Sequence, residues 1–225
     1  MSGHRIVAAL AIASALAFGV TTQASASPIL GIELLQGIYS YQTTSSADNP
    51  LMISKSIGTF TMNGEINGLV TDPLSMDLTS WNVSSGAGGT LTIIASATGL
   101  DTPIWPGFLS QFSGNFSGAV TSVTLQTYLS TSNTMFDTTG ILLSSLTGTG
   151  SPFATYGNSN ATATGPFGIT EVMTITTSGQ ATLSLDGSIA SAPEIDASSG
   201  IAAIALLLGV VGLVSERRRQ PEAIA

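Results

Sequence analysis

The chain has 225 residues, with thirteen Asp and Glu against five Lys and Arg, a net charge of −8 and no Cys. The missing Cys excludes disulfides, thiolate metal sites, a Cys nucleophile and a lipid-anchoring Cys. The cations lie at the two ends, and the middle has nine acids against Lys55 alone, which speaks against nucleic-acid binding by that region.

The N-terminus has a three-part layout. His4 and Arg5 are basic, Ile6 to Val20 is apolar, and Ala24-Ser25-Ala26 is a small-residue cleavage pattern before Ser27. This order predicts a secretory signal peptide over residues 1–26, handled by the Sec export machinery and cut after Ala26. His4 is the only His. Once it is removed, the mature chain has no imidazole for a Ser-His-Asp triad or a His-bearing zinc site.

Residues 27–190 are predicted to form an all-β ectodomain, an antiparallel sandwich of jelly-roll type. Residues 27 to 193 contain 52 Ser and Thr. Thr suits a pleated, half-buried surface, while Ser, Gly and Asn punctuate turns. In chain order, Gly58 to Val70 reads as a hairpin turning at Asn63-Gly64, the preferred pair for a type I′ turn. Leu74 to Val83 reads as a strand. Thr90 to Ile93, Val120 to Leu129, Val172 to Thr176 and Ala181 to Gly187 alternate with period two. Turn signals stand at Asp72-Pro73, Gly86 to Gly89, Asp101 to Pro103, Gly148 to Pro152, Gly165-Pro166 and Asp186-Gly187. There is no internal repeat and no long helical period, which points away from solenoids and propellers.

The middle offers little chemistry. Its carboxylates are Glu33, Asp48, Glu65, Asp72, Asp77, Asp101, Asp137, Glu171 and Asp186, with Lys55 as the single cation. A pair of these carboxylates could serve glycoside hydrolysis. In a β-sandwich, however, most Asp residues belong to turns or the wet face. No calcium-loop pattern is present. No catalytic residue, metal ligand or cofactor is therefore assigned, and the chain is not expected to be an enzyme. Trp81, Trp105, Tyr39, Tyr41, Tyr128 and Tyr156 could stack on a sugar, but such residues more often fill a core. Pro103 to Phe108 is the best exposed aromatic loop, because two prolines flank Trp105 and oppose a central strand. Trp105 is thus the expected ligand-loop residue.

Residues 191–225 form a second address. Pro193-Glu194-Ile195-Asp196 precedes a stretch without charge, Ala197 to Ser215, which is close to the length a helix needs to cross the hydrocarbon core. Arg217, Arg218 and Arg219 follow at once, within the basic tail 216–225. Their charge favours the cytoplasmic side, leaving the ectodomain outside. The reading is a single transmembrane helix over 197–215.

A Pro-Glu motif, one apolar span and an Arg cluster together resemble the PEP-CTERM sorting signal, here in a Pro-Glu-Ile-Asp variant with Ile195 in place of Pro. The resemblance implies a Gram-negative, exported protein recognised by an exosortase and cut near Pro193-Glu194. It also implies an inner-membrane intermediate, release to the cell surface or extracellular matrix, and a link to exopolysaccharide and biofilm. The expected role is structural or adhesive. The alternatives are a secreted carbohydrate-binding module and a permanently anchored single-pass protein.

Overall fold

The computed structural model describes residues 28–47, 49–69, 74–101, 107–163 and 165–192. They form ten antiparallel strands: β1 (Ile29–Gln36), β2 (Tyr39–Ser46), β3 (Leu51–Ile57), β4 (Phe60–Leu69), β5 (Ser75–Ser85), β6 (Gly89–Leu100), β7 (Gly107–Ser130), β8 (Ile141–Gly148), β9 (Phe153–Asn160) and β10 (Phe167–Ala192). The all-β expectation holds. The two sheets expected of a sandwich are instead one continuous sheet.

The spine of that sheet is the β7–β10 pair, which runs from Gly168↔Ser130 to Ala192↔Gly107. Its register shifts at Thr177–Ala181, opposite Gly118, whose φ is 85°. There the two-stranded ribbon folds double. Ser110 Oγ and Thr127 Oγ1 lie 3.4 Å apart, although both belong to β7 and are 17 residues apart in sequence. A straight strand would separate them by about 56 Å.

Each arm of the ribbon carries a wing. β6, β1 and β2 extend from the first half of β10, and β8 lies beyond the facing half of β7. β5, β4 and β3 extend from the second half of β10, with β9 beyond β7. β8 approaches β9, and β1 and β2 approach β3, without ladder pairing between them. The result is a nearly closed, barrel-like sheet.

Alternation places one set of side chains inside. On β10 the odd positions Ile169, Met173, Ile175, Leu183, Leu185 and Ile189 enter the core. Trp81, Phe60, Phe108, Phe112 and Phe167 join them, fully buried. Burial of such side chains is the main favourable term, about 1.5–3 kcal/mol each.

Several turn assignments change. Asn63-Gly64 lies inside β4, at a register shift opposite β5, and is not a hairpin turn. A Cβ on Gly64 would stand 2.3 Å from the Trp81 indole. The glycine serves close packing rather than chain reversal. The reversals sit at Gly37-Ile38 and Gly58-Thr59, each with a left-handed glycine first (φ 57° and 54°), as in type II′ hairpins. Asp186-Gly187 is also strand, within β10, at a bulge. Val172 to Thr176 and Ala181 to Gly187 belong to the same strand. Phe108 opens β7 and is buried, which removes it from the expected exposed loop. Gly86 to Gly88 and Gly148 to Pro152 do contain breaks between strands.

Outside the core, the segment between β7 and β8 folds back over the face of β1, β6 and β10. Phe136 N–H donates to Ser96 Oγ (3.1 Å), and Ser96 Oγ meets Thr170 Oγ1 (3.1 Å). A Cβ on Gly31 would touch Met135 Sδ and the Phe136 ring at 2.8 Å. The Asp137 carboxylate pins this segment, accepting from Ser130 Oγ (2.6 Å) and from Thr139 N–H (2.8 Å) and Oγ1 (2.7 Å).

Candidate functional site

A shallow groove of about 800 Å³ runs along the β7–β9 pair. It arises because β9 is an edge strand whose residues alternate between half-buried and exposed. The outward side chains are Ala154, Tyr156, Asn158 and Asn160. Register sets Tyr156 opposite Gln111 and Asn158 opposite Leu109. Tyr156 is 74% exposed. An aromatic ring beside amide side chains can stack on an apolar face and hydrogen-bond hydroxyls at its edge. The floor is rigid. Phe112 and Phe153 meet edge to face at 5.0 Å and 63°, and Phe116 lies 6.2 Å from Phe153.

The ladder extends the groove across the sheet. Tyr156, Gln111, Ser188, Asp77 and Asn67 are successive partners on β9, β7, β10, β5 and β4. Paired residues share a face, so these five form one row about 19 Å long at ordinary strand spacing. The next row includes Ser113 and Asp186. Asp186 Oδ1 accepts the Ser80 N–H at 2.7 Å, fixing the bulge at which Ser80 has φ 55°. Burial raises the Asp77 carboxyl above its ordinary value. A Thr79 hydrogen bond opposes the rise, and the nearby Asp186 charge adds to it.

Glu171 is the second chemical feature, one of the nine carboxylates of the middle but neither in a turn nor on the wet face. It has no exposed surface, and neither carboxyl oxygen has a hydrogen-bond partner. It lies on the core face of β10, opposite Ala95 on β6 and Thr127 on β7. Burial first, and the Asp77 charge second, hold its pKa well above the ordinary value. Burial therefore favours the neutral acid over the carboxylate. With no surface it meets no ligand from solvent. Its signal was parity: Ile169, Glu171, Met173 and Ile175 share one face.

The expected aromatic residues divide. Trp81 is buried, with its indole N–H unpartnered. Tyr41 packs against the core, with Lys55 Nζ 4.5 Å from its ring centroid. Tyr128 is half-buried, whereas Tyr39 and Tyr156 are exposed. Trp105 lies outside the described residues, as do Ala24 and Ala26, Pro193, Glu194, Ile195 and Asp196, and Arg217, Arg218 and Arg219. The proposed span 197–215 is outside them too. Among the described residues no helix is long and apolar enough to cross a membrane, and no group of three His, Asp or Glu could hold a metal ion.

Comparison with known proteins addresses the tail. No curated protein matches the chain. Among solved structures, the enzymatically active domain of bacteriophage CBA120 tailspike protein 4 aligns with 10% identity and a TM-score of 0.32. That alignment covers 60% of this chain and 18% of that one. A likeness this low carries no argument about the present fold or its activity. Residues 192–220 match the VPEID-CTERM protein sorting domain. That domain is a variant of the PEP-CTERM exosortase signal, and it implies export toward the cell surface and processing by an exosortase-type system. The chain thus carries a VPEID-CTERM sorting domain, whose first residue, Ala192, is also the last of β10.

Proposed function

We propose that this is an exported, non-enzymatic protein of the cell surface or extracellular matrix. Its signal peptide is removed at Ala26, and its tail crosses the inner membrane over 197–215. An exosortase then cuts it near Pro193-Glu194. Its role is adhesive, and the adhesive contact is the β7–β9 groove, which holds a neutral stretch of exopolysaccharide in the biofilm matrix.

The observation that carries this reading is the exposed ring of Tyr156 above a groove flanked by Gln111, Asn158 and Asn160. Sugars offer apolar ring faces and hydroxyl edges, which such a set can satisfy. The described carboxylates and the single cation Lys55 disfavour acidic polymers.

The test uses mature protein recovered from the cell surface and run through gels containing the host's own exopolysaccharide. The polymer should retard the parent protein, and Tyr156→Ala should migrate freely with an unchanged melting temperature. A parent protein that is not retarded at any polymer concentration overturns the adhesive reading.

A further inference from the structure

The sorting signal begins inside the folded sheet. Ala192 pairs with Gly107, Ser191 with Phe108, and Ala190 with both Leu109 and Ser75. Ser191 is buried, and its N–H donates to Leu74 O at 2.8 Å. Its Oγ donates to the same carbonyl at 3.4 Å. No spacer separates this ladder from Pro193. Proline has no N–H, so it cannot donate a further ladder bond.

An enzyme that reads a chain in extended form takes up main-chain hydrogen bonds along several residues. On the upstream side of the Pro-Glu motif those groups are already committed, Ser191 to Leu74 and its neighbours Ala190 and Ala192 to the ladder with Leu109 and Gly107. The ladder ends on a glycine, Gly107, which brings no side chain to the last pair. Strand ends open locally at far lower cost than the whole domain.

We propose that Ala190–Ala192 is a latch: these residues must peel from Leu74 and Gly107 before the sorting peptidase can engage the signal, so the folded domain slows its own processing. This rests on the reading that an exosortase cuts near Pro193-Glu194. The latch sets a delay between folding and release, and in sequence it lies upstream of the Pro-Glu motif, the apolar stretch and the Arg cluster.

The test follows cleavage of the full-length chain by pulse-chase in a host that has its sorting enzyme. One variant inserts Gly-Ser-Gly-Ser between Ala192 and Pro193. A second carries Ala190→Cys with Leu109→Cys, directly opposed positions in a chain with no other Cys. The spacer should speed cleavage severalfold. The oxidised pair should slow it severalfold, and reductant should restore the parent rate. Equal rates in all three chains overturn the latch and leave the sorting reading intact. A parent chain that is never cut overturns both.

Discussion

Gln36 and Thr59 join the tips of two hairpins that belong to opposite wings of the sheet. Gln36 Oε1 accepts the Thr59 N–H at 2.8 Å, and Gln36 Nε2 donates to Thr59 Oγ1 at 2.8 Å. The neighbouring glycines make room for this amide. A Cβ on Gly58 would overlap Oε1, and one on Gly89 would lie 2.9 Å from Nε2. Two hydrogen bonds and one side chain therefore clamp a rim where no ladder runs.

Removing the clamp should loosen that rim. Gln36→Ala is expected to lower stability by about 1–2 kcal/mol, at roughly 1 kcal/mol for each hydrogen bond lost. Urea unfolding of parent and variant measures the change. A midpoint equal to that of the parent would show that the tips are held by other contacts.

Gly64 tests the packing of Trp81. With the indole 2.3 Å from an added Cβ, Gly64→Ala forces either the ring or β4 to move. Overpacking of this kind costs about 1–3 kcal/mol. Trp81 fluorescence should shift as well, because the ring is otherwise fully buried. An unchanged spectrum and midpoint would contradict the contact.

Glu171 makes stability depend on pH. The folded chain keeps its proton above the pH at which the unfolded chain releases it, near 4.5. This contribution is full below that value and declines as pH rises through the window above it, by about 1.4 kcal/mol per pH unit. Glu171→Gln should remove the decline and be more stable than the parent at neutral pH. Denaturation midpoints from acidic to alkaline pH give the two slopes. Identical slopes would show that the carboxyl finds a partner.

Asp137 acts in the opposite sense. Hydrogen bonds from Ser130 and Thr139 lower its pKa, so its support is present above the unfolded value and fades as pH falls through the folded one. Asp137→Ala should expose the β7–β8 segment to protease at neutral pH, with little difference from the parent in acid. Limited proteolysis at both pH values decides this.

The sequence made the strands legible wherever one face is wet and the other buried. Thr90 to Ile93 and Ala181 to Gly187 alternate because β6 and β10 do. The Asn63-Gly64 reading failed because turn propensity is local, whereas Trp81 approaches from another strand. The true reversals at Gly37 and Gly58 lack the preferred pair, although each stands between alternating runs. The bend that folds β7 and β10 double depends on partners far away in the chain. The groove residue Tyr156 was in view only as one of six aromatics. Its exposure follows from β9 lying at an edge, which composition does not encode.

The place of β10 bears on how the protein is made. The last of the described strands contacts β5, β6 and β7, so both wings hang on it. Until residues 167–192 have been synthesised, neither half of the sheet has its central partner. Contacts of such long sequence separation form slowly. The sheet therefore completes its fold only once the residues leading directly into the sorting domain have been made.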